Sequence, residues 1–148
     1  MDQSRRYLLM RADVLMGMFD LLPENIRSQA FEAIEKSVTH FGSDSVRAYA
    51  AQPGVSQAQL LLTMQEAAAS LGWGHWQLTR KPAALELTVN NSPFATSSKQ
   101  KYGCVCHPIT GMLKGLANNV WSKEIHAREI SCASDTGGIT CHFEAYPV

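Results

Sequence analysis

"GMLKGLANNVWSKEIHAREISCASDTGGITCHFEAYP", residues 111–147, holds the part of this 148-residue chain from which a fold can be built outward. Its first third repeats apolar residues at steps of three and four, the spacing of a buried helical face. The rest reads as two strands, around residues 124–132 and 139–146, joined by a tight turn at Asp135-Thr136-Gly137-Gly138. The helical part reaches back to Pro108, which suits a first turn, where its missing N–H costs little. Ile109, Met112, Leu113, Leu116 and Val120 form its apolar stripe. Gly111 and Gly115, one turn apart, permit close approach by another element or a ligand.

Upstream, "HWQLTR" (75–80) and "ALELTVN" (84–90) place Trp76, Leu78, Leu85, Leu87 and Val89 at alternate positions. They are expected to be an antiparallel pair turning at Lys81-Pro82-Ala83. Residues 90–103 are polar and read as a loop. Three helices come first. The earliest uses Leu8, Leu9, Ala12, Leu15, Met16 and Phe19 and is closed by Pro23. A second over 24–49 carries Ile26, Ala30, Phe31, Ile34, Val38 and Phe41, with Gly42 a candidate kink. A third runs from a Ser56 cap to Leu71 with Leu60, Leu61, Met64 and Ala67 or Ala68, ending at Gly72. The order predicts an α+β class: N-terminal helices packed on an antiparallel sheet, with one helix inserted before the last hairpin. No repeat or linker divides residues 1–148, so a single domain is expected.

Formal charge is zero and no basic run occurs, which argues against a direct nucleic-acid partner. No stretch approaches the roughly 20 apolar residues of a membrane span. Arg11, Asp13 and Asp20 interrupt the N-terminal apolar run, unlike a signal peptide. A cytoplasmic location is the expectation. Thiols stay reduced there, so clustered cysteines lean towards metal or catalysis.

Cys106 precedes the inserted helix, Glu129 and Cys132 end one strand, and Cys141 lies on the returning arm. If the hairpin packs beside the helix start, the four converge, and thiolate with carboxylate donors suits zinc. Residues 129 and 132 have opposite strand parity, so both point inward only if the strand bends. Spacing alone leaves a second reading open: reduced cysteines packed as small hydrophobes, with Glu129 solvated. Cys104 shares a strand face with Cys106, but Cys106 is better placed at the helix entrance. His107, His126 and His142 read as surface or supporting residues.

The residue 111–147 stretch resembles the C-terminal signature of the 4-vinyl reductase domain family: a Gly-x-x-x-Gly helix, a strand ending Glu-x-x-Cys, a turn, and Cys before an aromatic strand. That family shares its fold with vesicle-tethering TRAPP subunits and, more remotely, haem nitric-oxide sensors. It also supplies sensory domains of phenol- and xylene-responsive activators. The resemblance implies a structural zinc held by Cys106, Glu129, Cys132 and Cys141. The 23-residue separation of Cys106 from Glu129 fits the sensor pattern. The Cys132–Cys141 turn is one residue longer than in those sensors.

The resemblance also implies a pocket for a hydrophobic small molecule such as an aromatic, hydrocarbon, lipid or tetrapyrrole. Trp73, His75, Trp76, Phe94, Tyr102 and Trp121 are its candidate lining, although core packing accounts for aromatics equally well. A stand-alone sensor or carrier is the leading reading. Output would pass through a homodimer or protein partner, with Met10, Met16, Met18 and Leu22 as candidate contacts. An accessory protein or reductase in chlorophyll vinyl reduction is the alternative, yet no dinucleotide fingerprint is present. A tethering-type scaffold is the third.

Overall fold

A computed structural model describes residues 4–99, 101 and 103–148. The elements are α1 (Ala12–Asp20), α2 (Glu24–Ala50), α3 (Gln57–Ser70), β1 (His75–Arg80), β2 (Leu85–Asn90), α4 (Pro93–Ser97), α5 (His107–Trp121), β3 (Ile125–Ser131), α6 (Ala133–Thr136) and β4 (Thr140–Pro147). The strands form one antiparallel sheet in the order β1-β2-β4-β3. The α+β class and the helix before the last hairpin are as the sequence predicts.

Helix α5 is the centre of the molecule, packed between the sheet and α2. Ile109, Leu113, Leu116 and Ala117 are fully buried there, against the inward row of Leu85, Leu87, Val89, Cys141, Phe143 and Ala145. The two glycines set the α2–α5 distance. A Cβ on Gly111 would fall inside contact distance of the Glu35 carbonyl oxygen, and one on Gly115 would stand 2.6 Å from Ser43 Oγ. The close approach is therefore to another helix. Across it, the Thr39 hydroxyl donates to the Gly111 carbonyl at 3.0 Å.

Several expectations need correction. Leu8 and Leu9 lie ahead of α1 and are 82% and 100% exposed, because the helix begins only at Ala12. Met16 and Phe19 alone of that stripe are buried in the core. Gly42 does not divide α2, which runs unbroken for 27 residues. Ile26 and Phe41 on its stripe are exposed: Ile26 lies before the stretch that α5 covers, and Phe41, between Thr39 and Ser43 which meet α5, is on the opposite side of the helix. Residues 90–103 contain the short helix α4, capped by Ser92, with Pro93 in its first turn. The final hairpin has no two-residue glycine turn. One helical turn, α6, follows Cys132 and ends at Gly137 in the left-handed region (φ 76°).

Candidate metal centre

Four chain segments bring the donors together. Cys106 is the N-cap of α5, Glu129 lies on β3, Cys132 is the N-cap of α6, and Cys141 pairs with Val89 inside the sheet. The parity conflict is resolved by a bulge. Glu129 pairs with Phe143 and Ser131 with His142, so Ile130 is the extra residue and is exposed. The strand bends at that point, and Glu129 and Cys132 reach the same side.

The four donor atoms lie within 4.8 Å of one another, and the three cysteines are buried. Sulfur–sulfur distances are 3.8 Å for Cys106–Cys132, 3.8 Å for Cys106–Cys141 and 4.0 Å for Cys132–Cys141. A tetrahedral shell with metal–sulfur bonds of about 2.3 Å has edges of about 3.8 Å. The sulfur triangle thus has the dimensions of three corners of such a shell. Glu129 lies beside the triangle: Oε2 accepts the Cys106 N–H at 2.9 Å, while Oε1 is buried with no partner among the described residues. A buried acceptor left unpaired costs about 1–3 kcal/mol, more if charged. The cluster can hold a metal ion.

Its protonation reflects the crowding of four acidic donors. Hydrogen bonds from Cys106 and Cys141 hold the Cys132 thiol far below its ordinary value. The same contacts and burial push Cys106 well up. For Cys141, the pull of Cys106 is outweighed by Cys132 and burial, leaving it at about 12. Burial, then the Cys132 charge, raises Glu129 to about 8. These opposed shifts favour one negative charge among the four at neutral pH, and a cation would favour ionisation of the rest.

Cys104 stays outside the group. It is half-buried, its thiol donates to the Glu129 carbonyl at 3.6 Å, and burial followed by the Glu129 charge pushes it to about 12. His107 faces away from the cluster, stacked on Phe31 (4.6 Å between ring centres) and bonded through Nδ1 to Glu35 at 2.9 Å. His126 and His142 are exposed. Three groups supporting the sulfurs are invisible to spacing arguments: the Ser92 hydroxyl 3.2 Å from Cys106 Sγ, the Ser134 hydroxyl 3.1 Å from Cys132 Sγ, and the Ala133 N–H 3.3 Å from Cys141 Sγ. The Ser-Pro pair at 92–93 was the one available signal, as a helix start.

The ligand candidates divide. Trp73 and Phe94 meet edge to face at 5.2 Å, and the Trp76 indole N–H donates to the Trp73 carbonyl at 3.0 Å. His75 is exposed on the strand face opposite buried Trp76. Trp121 lies under the Arg80 guanidinium, 4.1 Å from its ring centre. Tyr102 is outside the described residues. An open groove beside α1 is lined by apolar Val14, Met18, Leu21 and Leu22 together with charged Asp13, Asp20 and Lys99, and none of the described ligand candidates borders it. Of the methionine and leucine contacts expected for pairing, Met16 belongs to the core, whereas Met10 and Met18 are exposed.

No protein-family model and no curated protein matches the sequence. Solved structures do. The phenol-responsive sensory domain of the transcription activator PoxR, with phenol, superposes at a TM-score of 0.82 and 17% identity, covering 97% of this chain and 77% of that one. A vinyl-4-reductase family protein from Methanocaldococcus jannaschii gives 0.57 at 13%, covering 93% and 90%. Trafficking protein particle complex subunit 3 from Naegleria fowleri, covalently bound to palmitic acid, gives 0.53 at 11%, covering 91% and 93%. The chain has the fold these proteins share. Among its described residues no helix is long and apolar enough to cross a membrane.

Proposed function

We propose that this chain is a binding domain for a hydrophobic small molecule, serving as a sensor or carrier and held together by one structural zinc ion. Cys106, Glu129, Cys132 and Cys141 are the zinc ligands in this reading. The sulfur triangle of 3.8, 3.8 and 4.0 Å beside an unpartnered carboxylate oxygen carries it. Zinc, when bound, supplies a fixed cross-link and neutralises the charge that burial otherwise suppresses. Four protein donors complete a tetrahedral shell, leaving no position for a substrate or activated water. A structural role follows.

Trp73, Trp76 and Phe94 are the proposed ligand wall: Trp73 and Phe94 meet edge to face, and the Trp76 indole N–H is tied to the Trp73 backbone carbonyl. A fold shared along nearly the whole chain with a phenol-sensing domain supports an aromatic or similar apolar ligand. Four free cysteines suit a reducing, cytoplasmic setting. Output through a homodimer is favoured by the apolar N-terminal surface, where Leu8, Leu9, Val14 and Leu21 are exposed.

Native mass spectrometry of protein purified without chelators tests the metal, and tryptophan emission during titration with phenols, hydrocarbons, fatty acids and tetrapyrroles tests the ligand. One zinc per chain and a saturable emission change with one class are expected. A folded chain without metal, or silence across all four classes, would overturn the corresponding half.

A further inference from the structure

Each donor of the cluster has its own supporting hydrogen bond. Three of these come from the hairpin or the α5 start: Ser134 to Cys132, Ala133 N–H to Cys141, and Cys106 N–H to Glu129. The fourth comes from a different part of the fold. Ser92 follows β2, is wholly buried, and places its hydroxyl 3.2 Å from Cys106 Sγ. The same oxygen accepts the Ala95 N–H at 3.4 Å and so caps α4.

A serine hydroxyl has one proton to donate and lone pairs to accept with. When Cys106 is a thiolate ligand, the arrangement has one solution: the O–H donates to sulfur, and the oxygen accepts from α4. When Cys106 is a neutral thiol, either atom can donate, and the orientation is no longer imposed. Helix α4 has five residues, far too few to persist on propensity alone. It therefore depends on its cap and on the burial of Phe94 and Ala95. Phe94 is also half of the Trp73–Phe94 edge-to-face pair. One hydroxyl thus joins a metal ligand to the aromatic group.

We propose that Ser92 is a positioning residue that couples metal occupancy at Cys106 to the placement of α4 and its Phe94–Trp73 pair. Metal and hydrophobic ligand then bind with positive cooperativity, each tightening the other by the same factor. This rests on the zinc and aromatic-wall readings above and adds the link between them.

The test uses the full chain and two ions. Cobalt(II), followed by its visible absorption, reads affinity, and closed-shell zinc reads the change in tryptophan emission. Wild type should load one ion per chain with an emission change that Trp73→Phe removes. Ser92→Ala should still load one ion, about 10-fold more weakly, as expected when a supporting hydrogen bond is lost, and without the emission change. Ser134→Ala, whose hydroxyl touches Cys132 but not α4, should show a similar affinity loss with the emission change intact. If Ser92→Ala does not fold, Ser92→Gly keeps a tolerated N-cap residue without the hydroxyl and should give the same separation. An unaltered emission change in the Ser92 variants, or its loss in Ser134→Ala as well, overturns the coupling. A wild type that binds no cobalt overturns the metal reading, and the coupling with it.

Discussion

Zinc added to the metal-free protein at pH 7 should displace about three protons per ion. The number comes from the charge the cluster carries beforehand. Cys106 and Cys141 are held as thiols and Glu129 is raised to about 8, while Cys132 is lowered by its two thiol neighbours. Four donors thus hold one negative charge and three protons. The count is the same whichever of Cys132 and Glu129 carries the charge. A shell of three thiolates and one carboxylate requires all four to be ionised.

Protons are products of loading, so acid opposes it. While the three protons remain in place, each unit fall in pH should weaken apparent affinity by up to about a thousandfold, or about 4 kcal/mol. Stability contributed by the metal is therefore present at neutral and alkaline pH and lost as pH falls. Titration calorimetry in a series of buffers with different ionisation enthalpies measures the release directly, as the slope of observed heat against buffer heat. A slope near three supports the charge count. A slope of one or zero would refute it, because the donors would then already be ionised or would not all bind.

Substitution at the helix contact gives a second test. Gly111→Ala sets a methyl against the Glu35 backbone, which cannot rotate away. Overpacking of about 3 kcal/mol, less about 1 kcal/mol of helix propensity gained, leaves a net loss of about 2 kcal/mol in denaturant unfolding. Gly17→Ala on α1 meets open space and should stabilise by up to about 1 kcal/mol. Cys104→Ser should keep one metal per chain by mass spectrometry, whereas Cys132→Ser should lose it. Leu9→Glu with Leu21→Glu should convert a dimer to a monomer in light scattering with unfolding unchanged, since both side chains are exposed; a monomeric wild type would refute pairing through this surface.

The elements whose apolar positions are packed along their whole length were legible. The stripe of α5, the alternation of β1 and β2, and the Ser56 cap, which accepts the Gln59 N–H at 3.1 Å, all follow from periodicity and local chemistry. Periodicity misled where an apolar stripe outran its partner, as at Leu8, Leu9 and Ile26, and at Phe41, which lies on the side of α2 turned away from α5. It says which side of a helix is apolar, not what lies opposite. The donor set was suggested by residue type and by family resemblance. Its geometry hinged on Ile130, whose insertion as a bulge leaves no mark on the alternation. Ser92 escaped notice because its contact with Cys106 joins residues 14 apart in sequence, across a stretch that reads as loop.

The location of the cluster suits a metal cross-link. β3 is an edge strand, paired only with β4, and its ladder is broken by the bulge. α6 is a single turn, too short to hold itself. Without a cation this corner buries a carboxylate oxygen with no hydrogen-bond partner among the described residues, beside three cysteines that pack as small apolar side chains. One divalent ion would turn all four into bonds and tie the start of α5 to both arms of the hairpin. Structural zinc sites contribute about 10–16 kcal/mol in small peptides, against about 5–15 kcal/mol for the stability of a whole domain. A corner fixed so strongly by the proposed metal would be a poor place for ligand-driven movement. Motion that carries a signal is better placed where the structure is lightly held: in five-residue α4, and in α1 with its exposed apolar approach. These two elements pack on each other, so a ligand against Phe94 would bear on the surface proposed to pair.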